Sequence, residues 1–155
     1  MKTAQSKSIE NLRSGWHLLC VLSTASLPAT LGGAPVNDFT NGFSNKQITL
    51  TALAAKDRVL AAAIDVVTPI AGPTGAPTVQ VKTGTGGVAI TPTCACKTAI
   101  AAVTDNTVVG ATTSTAAENL VLDCQAGGGD GAAATAGEIW VWVKIDRADR
   151  LQGQV

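Results

Sequence analysis

The side chains with the greatest chemical potential in this sequence are one histidine and four cysteines, namely His17, Cys20, Cys94, Cys96 and Cys124. A nucleophile activated by a neighbouring imidazole would have to use His17, because the chain has no other histidine. Cys20 follows His17 by three residues on a predicted strand, and an odd separation sends strand side chains to opposite faces. We therefore expect no Cys-His pair and no catalytic residue.

The cysteines allow three interpretations. A zinc site would combine Cys94, Cys96 and Cys124 with His17, but Cys-x-Cys is not the usual spacing of a zinc knuckle. One disulfide involving Cys124 is a second interpretation, whereas Cys94 and Cys96 leave the same face of a predicted strand and are poorly placed to bond each other. The third and favoured interpretation is that the thiols are buried, free and packed as small hydrophobic groups. We expect no metal and no cofactor.

The remaining motifs do not indicate catalysis. The glycine-rich stretches 84–87 and 127–131 lack the Gly-Lys-Ser/Thr ending of a phosphate-binding loop, and we interpret both as turns. Asp130 within the second stretch lacks the alternating acidic ligands of a calcium loop. The other acids lie mostly at predicted turns and strand ends, not as the converging pair of a glycosidase. The motifs therefore favour a protein that is not an enzyme.

The composition favours a subunit held among neighbours over a free enzyme. Ala, Thr and Gly make up 62 of the 155 residues, and charged residues only 14%, with 11 basic and 11 acidic side chains. A neutral chain has no net field to attract nucleic acid and little charge repulsion to keep it apart from other proteins. No apolar run has the length of a membrane helix. We therefore expect neither nucleic acid nor a membrane as partner.

Residues 16–29 allow two interpretations. The range loosely resembles a secretory signal, because Lys2, Lys7 and Arg13 precede a short apolar stretch. Glu10 in the basic region opposes that interpretation. We favour a first core strand behind a polar arm. The other interpretation, a secreted adhesin or pilus-like subunit, would require the removal of this range.

Alternation of apolar and polar residues predicts an all-β chain of about eight strands. Glycine- and proline-rich turns separate the segments. The predicted strands lie near 17–24, 47–53, 58–68, 77–83, 87–93, 106–112, 118–124 and 138–147. One short helix is predicted at 96–103, where Cys96, Ile100 and Val103 fall at helical spacing.

The chain is predicted to form a single domain with two parts. The range 1–46 holds an extended N-terminal arm over 1–15, the first strand and a long loop over 25–46. The range 47–155 holds the β-sandwich.

The last predicted strand has two different faces. The core face carries Ile139, Val141, Val143 and Ile145, and the opposite face carries Glu138, Trp140, Trp142 and Lys144. Two neighbouring indoles in water would form an unusual apolar patch, so we expect them to be covered. The cover is either the 25–46 loop or a partner subunit, because tryptophan is enriched in interfaces. The candidate interface residues are Trp16, Phe39, Phe43, Trp140 and Trp142.

The segment 57–68 also alternates, and it is rich in alanine. One predicted face carries Val59, Ala61, Ala63 and Asp65, and the other carries Leu60, Ala62, Ile64 and Val66. Small side chains let a facing sheet or subunit approach closely, although each residue then buries less apolar area.

Three segments carry a resemblance to a known group of proteins. They are Asp57-Arg58-Val59-Leu60 opening the Ala-rich strand to Asp65-Val66, Pro77-Thr78-Val79-Gln80-Val81 before a glycine turn, and Ala136-Gly137-Glu138-Ile139-Trp140-Val141-Trp142-Val143. On these segments, the range from Gln47 to Ile145 resembles the capsid decoration, or cement, proteins of tailed bacteriophages.

The resemblance implies a jelly-roll-like antiparallel β-sandwich with an extended N-terminal arm. It also implies a structural virion protein that binds the outer surface of a phage capsid and clamps neighbouring capsid subunits. The implied partners are the major capsid protein and further copies of this chain, as a homotrimer. A phage head fibre, spike or tail accessory protein is the alternative, and a secreted adhesin or pilus-like subunit is a second alternative.

Overall fold

A computed structural model of the chain describes residues 15–24, 30–31, 34–38, 46–72, 75–84, 87–97, 112–113, 116–125 and 135–147. Every regular element within these ranges is a β-strand. None of the ranges contains a helix with the length and hydrophobicity needed to cross a membrane. The described part of the chain is therefore all-β, as the alternation of residue types predicts.

The strands of the described part form two sheets. In chain order they are β1 (His17–Ser23), β2 (Thr30–Leu31), β3 (Ala34–Asp38), β4 (Lys46–Leu53), β5 (Arg58–Ala71), β6 (Thr78–Thr83), β7 (Cys94–Ala95), β8 (Thr112–Thr113), β9 (Glu118–Gln125) and β10 (Ala136–Asp146). Sheet 1 has the order β2-β3-β1-β10-β5-β8, and sheet 2 has the order β4-β9-β6-β7. All neighbouring pairs are antiparallel except β1 and β3, which run parallel.

Eight of these strands follow the jelly-roll order. β1 pairs with β10, β4 with β9, β5 with β8, and β6 with β7, so the pairs are nested as in one long hairpin folded over on itself. β10 also pairs with β5, and β9 with β6, which completes the sheets β1-β10-β5-β8 and β4-β9-β6-β7. Two such antiparallel sheets facing each other are a jelly roll. The predicted all-β, jelly-roll-like sandwich is confirmed.

One hydrophobic core lies between the two sheets. Leu22, Ile64 and Val141 enter it from sheet 1, and Val79 and Leu122 enter it from sheet 2, each with 1% exposure or less. Many other core residues are valine, alanine or cysteine. Because each of these buries little apolar area, the stability of the fold depends on filling the whole layer densely.

A bulge in β1 changes the predicted faces of that strand. The pairing with β10 shifts at Leu19, so that His17 lies opposite Val143 and Cys20 opposite Val141, on the same side of the sheet. The prediction that His17 and Cys20 point to opposite faces is wrong, because the extra residue of a bulge reverses the alternation. Burial separates them instead, since His17 is exposed and Cys20 is buried.

The favoured interpretation of residues 16–29 as a first core strand is confirmed. β1 lies between β3 and β10 in sheet 1, and it contributes Cys20 and Leu22 to the core. Its predicted end at residue 24 is one residue beyond the observed end at Ser23.

A second bulge changes the predicted faces of β5. The pairing with β10 shifts at Leu60, so Val59 points into the core together with Ala62 and Ile64, whereas Leu60 is 36% exposed. The predicted grouping of Leu60 with Ala62, and of Val59 with the opposite face, is therefore wrong. Alternation counted from the sequence does not include the residue that a bulge adds.

The predicted strand at 87–93 is also wrong. The chain runs back alongside β6 there, but only an isolated bridge joins Ala89 to Lys82 before β7 begins. The hydroxyl of Thr91 accepts a hydrogen bond from the backbone N–H of Val81 at 3.1 Å. A side-chain acceptor thus replaces a ladder carbonyl, and this interrupts regular pairing.

The predicted loop at 25–46 contains two short strands. β2 and β3 lie within it, and β3 extends sheet 1 by pairing with β1. Part of the segment predicted as loop is therefore strand. The division of the chain at residue 46 stays a prediction.

Several sequence predictions fall outside the described residues. The arm at 1–15 lies outside them except for Gly15, as does the glycine-rich stretch 127–131. The predicted strand at 106–112 lies outside them except for its last residue, where β8 begins. Of the predicted helix at 96–103, only residues 96–97 are described, and these form a bend.

Asp57 and Arg147 connect the end of β10 to the turn between β4 and β5. Nη1 of Arg147 donates to Oδ2 of Asp57 and to the carbonyl of Ala52, both at 2.8 Å, and Nη2 donates to the hydroxyl of Thr51 at 3.1 Å. The backbone N–H of Ala54 donates to the same carboxylate oxygen at 2.9 Å. The Asp57 side chain is only 2% exposed, so its charge requires these partners. The contacts join a strand of sheet 1 to a strand of sheet 2.

We predict that Asp57→Ala lowers the free energy of unfolding by about 3 kcal/mol, because it removes one member of a buried ion pair. Urea denaturation of the purified chain measures this. Arg58→Ala is the matched control, since Arg58 is exposed one residue away, and it should change the free energy by less than about 0.5 kcal/mol. Equal effects of the two substitutions would contradict the assignment.

Candidate functional site

The outer face of sheet 1 carries two of the candidate interface residues, Trp140 and Trp142. In the strand register, Leu18 and Val21 of β1 lie on one side of these indoles, and Ala63 of β5 lies on the other. The inner face of β10 packs in the core, so the predicted division of this strand into a core face and a tryptophan face is confirmed. The outer face forms a second hydrophobic cluster.

The two indoles contact each other and are buried. Their ring centroids are 5.9 Å apart with planes tilted by 49°, which is a favourable geometry for an aromatic pair. Nε1 of Trp140 donates to Oε1 of Glu138 at 2.6 Å, so the polar group of that indole has a partner. Trp140 is 3% and Trp142 is 4% exposed. The expectation that the indoles are covered is therefore confirmed.

The single chain does not present the indoles as an open surface. Trp16 is half-buried and packs against the same cluster. Gly15 precedes it with φ of +81°, in the left-handed region that favours glycine, and turns the chain there beside Lys144. Phe39 and Phe43, with most of the predicted cover, lie outside the described residues. The role of all five aromatic residues in an interface stays a prediction.

The outer face of sheet 2 is mainly polar and partly open, although Val121 and Asp123 of β9 on this face are buried. Gln47 and Thr49 of β4 and Gln125 of β9 are exposed, and Gln80 and Lys82 of β6 are half-buried. The described side chains of this face include no aromatic ring. The sequence signal for this face is the alternation along β6, where Thr78, Gln80 and Lys82 alternate with Val79 and Val81.

Asp123 lies at the centre of this polar face and is paired. Its Oδ2 is 2.6 Å from Nζ of Lys82 and accepts a hydrogen bond from Nε2 of Gln125 at 3.1 Å. Burial raises the pKa of Asp123, but hydrogen bonds from Lys82, Gln125 and Gln47, together with the charge of Lys82, outweigh burial and bring the pKa below its ordinary value of 3.8. The carboxylate and the ammonium group thus neutralise each other within the face.

The four cysteines are buried and none of them forms a disulfide, as the favoured interpretation predicts. Cys94 and Cys124 lie opposite Val79 from its two neighbouring strands in sheet 2. Across the described ranges, no group of three or more His, Cys, Asp or Glu side chains is arranged to hold a metal ion. The zinc arrangement considered from the sequence is therefore not formed, and His17 lies exposed on β1 of the other sheet.

Comparison with known proteins gives one structural likeness. No protein-family model matches the sequence, and no curated protein is similar to it. Among solved structures, the chain is similar to a chain of the acidic stable capsid structure of Helicobacter pylori bacteriophage KHP30, with 20% sequence identity, a TM-score of 0.48, and coverage of 67% of this chain and 79% of that chain. At this identity and TM-score the likeness assigns no role to any residue.

We predict that Trp142→Ala lowers the free energy of unfolding by about 3 to 5 kcal/mol, because it empties a buried site beside Trp140. Chemical denaturation measures the change. Val88→Ala is the control, since Val88 is 44% exposed and its truncation should have little effect. In a Trp16→Phe variant, Trp140 and Trp142 are the only remaining indoles, and we expect iodide to quench their fluorescence weakly because both are buried. Strong quenching in this variant would contradict the burial.

We predict a pH-dependent contribution from Asp123. Because its pKa is lower in the folded than in the unfolded chain, the ionised carboxylate stabilises the fold fully above about pH 5, and this contribution is lost as the pH falls through the folded pKa, below 3.8. The difference in unfolding free energy between the natural chain and Asp123→Asn should therefore shrink below about pH 4. Urea denaturation between pH 7 and pH 2 measures it. A difference that stays constant over this range would contradict the assignment.

Proposed function

We propose that the chain is a structural virion protein that binds the outer surface of a phage capsid and stabilises contacts between capsid subunits. The observation that carries this proposal is the jelly-roll order of the two sheets, β1-β10-β5-β8 and β4-β9-β6-β7. Viral capsid domains are among the proteins built in this way. Lectins and cupins share the architecture, so a further property has to favour the capsid.

The composition is that further property. With 11 basic and 11 acidic residues and only 14% charged side chains, the chain offers neighbours little repulsion. Weak contacts of this kind become effective when they repeat across a lattice, because multivalency stabilises a shell without any single strong bond. The proposed role is not catalytic and uses no cofactor.

The open polar face of sheet 2 is the described surface that best suits such a neighbour. Its exposed amide and hydroxyl groups, on Gln47, Thr49 and Gln125, offer hydrogen bonds to a partner surface. Its central charges, on Lys82 and Asp123, already neutralise each other. Contact would therefore not bury an unpaired charge. We propose the major capsid protein as the partner there, with a homotrimer as the assembled form.

The packing of β1 favours the virion over the secreted adhesin. An adhesin would require the removal of residues 16–29, and this range contains β1. Cys20 and Leu22 of β1 pack in the core, and the strand pairs with β10 from His17 to Ser23. Loss of this strand would open the sandwich and expose the inner face of sheet 1.

The test is to add the purified chain to phage shells assembled without it. We predict that the chain cosediments with the shells and raises their melting temperature. Shells that already carry the chain are the control, because their sites are filled and they should take up no more. A chain that neither binds the deficient shells nor raises their melting temperature would overturn the proposal.

A pair of variants tests the surface. Thr49→Arg adds a bulky charge to the open face of sheet 2, and we expect weaker cosedimentation with an unchanged unfolding curve. Leu60→Arg is the matched control, since Leu60 is also exposed but lies on β5 of sheet 1. If Leu60→Arg alone weakens binding, the contact lies on sheet 1 and the assignment to sheet 2 is wrong.

A further inference from the structure

Cys94 and Cys96 lie at the edge of sheet 2, in a segment that also contacts sheet 1. Cys94 belongs to β7, a strand of two residues at the end of the order β4-β9-β6-β7. The backbone N–H of Cys96 donates to the carbonyl of Pro77 at 3.0 Å, and the carbonyl of Cys96 accepts from the N–H of Ile70 at 2.9 Å. Pro77 precedes β6 in sheet 2, and Ile70 is part of β5 in sheet 1. The Cys-x-Cys segment therefore links the two sheets.

The bend at residues 96–97 brings the two thiols together. In a regular strand, side chains two residues apart are separated by about 7 Å, which is too far for contact between thiols. Here the thiols of Cys94 and Cys96 are close enough for each to shift the pKa of the other. The thiol of Cys96 also lies 3.5 Å from the carbonyl oxygen of Cys94. The chain does not stay extended after Ala95, so the separation expected for a regular strand does not apply to this pair.

The contact makes the two thiols unequal. The interaction with the Cys96 thiol lowers the pKa of Cys94, against the effect of burial, whereas the same contact and burial both raise the pKa of Cys96. The thiolate is the nucleophile in thiol–disulfide exchange, so Cys94 is the member of the pair that would attack first.

We propose that Cys94 and Cys96 are a redox-active dithiol that low-molecular-weight disulfides such as glutathione disulfide convert to an internal disulfide. The Cys94 thiolate attacks one sulfur of glutathione disulfide, and a glutathione thiolate leaves and takes up a proton. Cys96 loses its proton to solvent and attacks the Cys94 sulfur of the mixed disulfide, which releases the second glutathione thiolate, and this also takes up a proton. Two protein thiols are oxidised and one glutathione disulfide is reduced to two glutathione molecules.

Local opening at the sheet edge gives the reagent access. Cys94 is 3% exposed and Cys96 is fully buried, but only two residue pairs hold β7 to β6. Short edge elements open at a lower free energy than central strands do. Cys20 and Cys124 lie on central strands, β1 and β9, so we expect them to react more slowly. The reaction requires no capsid partner and is independent of the proposed virion role.

The test is to equilibrate the purified native chain in a glutathione redox buffer at about −200 mV and then alkylate all free thiols after unfolding. We predict that labelling falls from four thiols to two. Cleavage after lysine and arginine yields the peptide 83–97, which contains both Cys94 and Cys96, whereas Cys124 lies in the peptide 98–144 and Cys20 in the peptide 14–46. The internal disulfide leaves the peptide 83–97 unlabelled and about 2 Da lighter than its dithiol form.

Cys96→Ala and Cys124→Ala form a matched pair of variants, since both remove a buried thiol from the core. We expect Cys96→Ala to abolish the internal disulfide and Cys124→Ala to retain it. If Cys96→Ala fails to fold, the peptide mass of the natural chain still decides. A labelled peptide 83–97, a covalent link between 83–97 and 98–144, or glutathione retained on either cysteine would each overturn the proposal.

Discussion

The fold depends on the burial of β10 on both faces and both edges. Val141 and its neighbours on the inner face pack in the core, Trp140 and Trp142 form a second cluster on the outer face, and β1 and β5 pair with the two edges. Removal of this strand would expose two hydrophobic clusters and break two ladders. Directly after β10, Arg147 forms an ion pair with Asp57 in the turn between β4 and β5, and this contact fixes the end of β10. β10 thus joins the two halves of sheet 1 and, through Arg147, connects them to sheet 2.

The alanine-rich strand next to β10 makes this double burial possible. Ala63 lies opposite Trp142, and its small side chain leaves room for the indole on the outer face. On the inner face, Ala62 lies opposite Val143 within a layer of small side chains. A densely packed interior tolerates little change of volume, so the small side chains of Ala62 and Ala63 suit the packing on the two faces of β5. Polar character is concentrated on the opposite side of the sandwich, where Lys82 and Asp123 neutralise each other.

Regular strands could be predicted from the sequence because their alternation is local. The two faces of β10 followed from that pattern. The bulges at Leu19 and Leu60 could not be predicted, because an added residue is visible only once the partner strand is known. The Thr91 hydroxyl interrupts pairing through a contact with β6, which is likewise a property of the folded chain. The polar face of sheet 2 was overlooked because no single residue on it carries distinctive chemistry.

The proposed virion role connects a closed sandwich, a neutral composition and one open polar face with assembly into a lattice. The most direct measurement is a cryo-EM reconstruction of the particle that carries this chain, at a resolution that separates β-strands. We predict density for the jelly roll on the outside of the head, repeated at threefold or quasi-threefold positions, with sheet 2 against a neighbouring subunit. Density at a single tail vertex, or none on the head, would contradict the account.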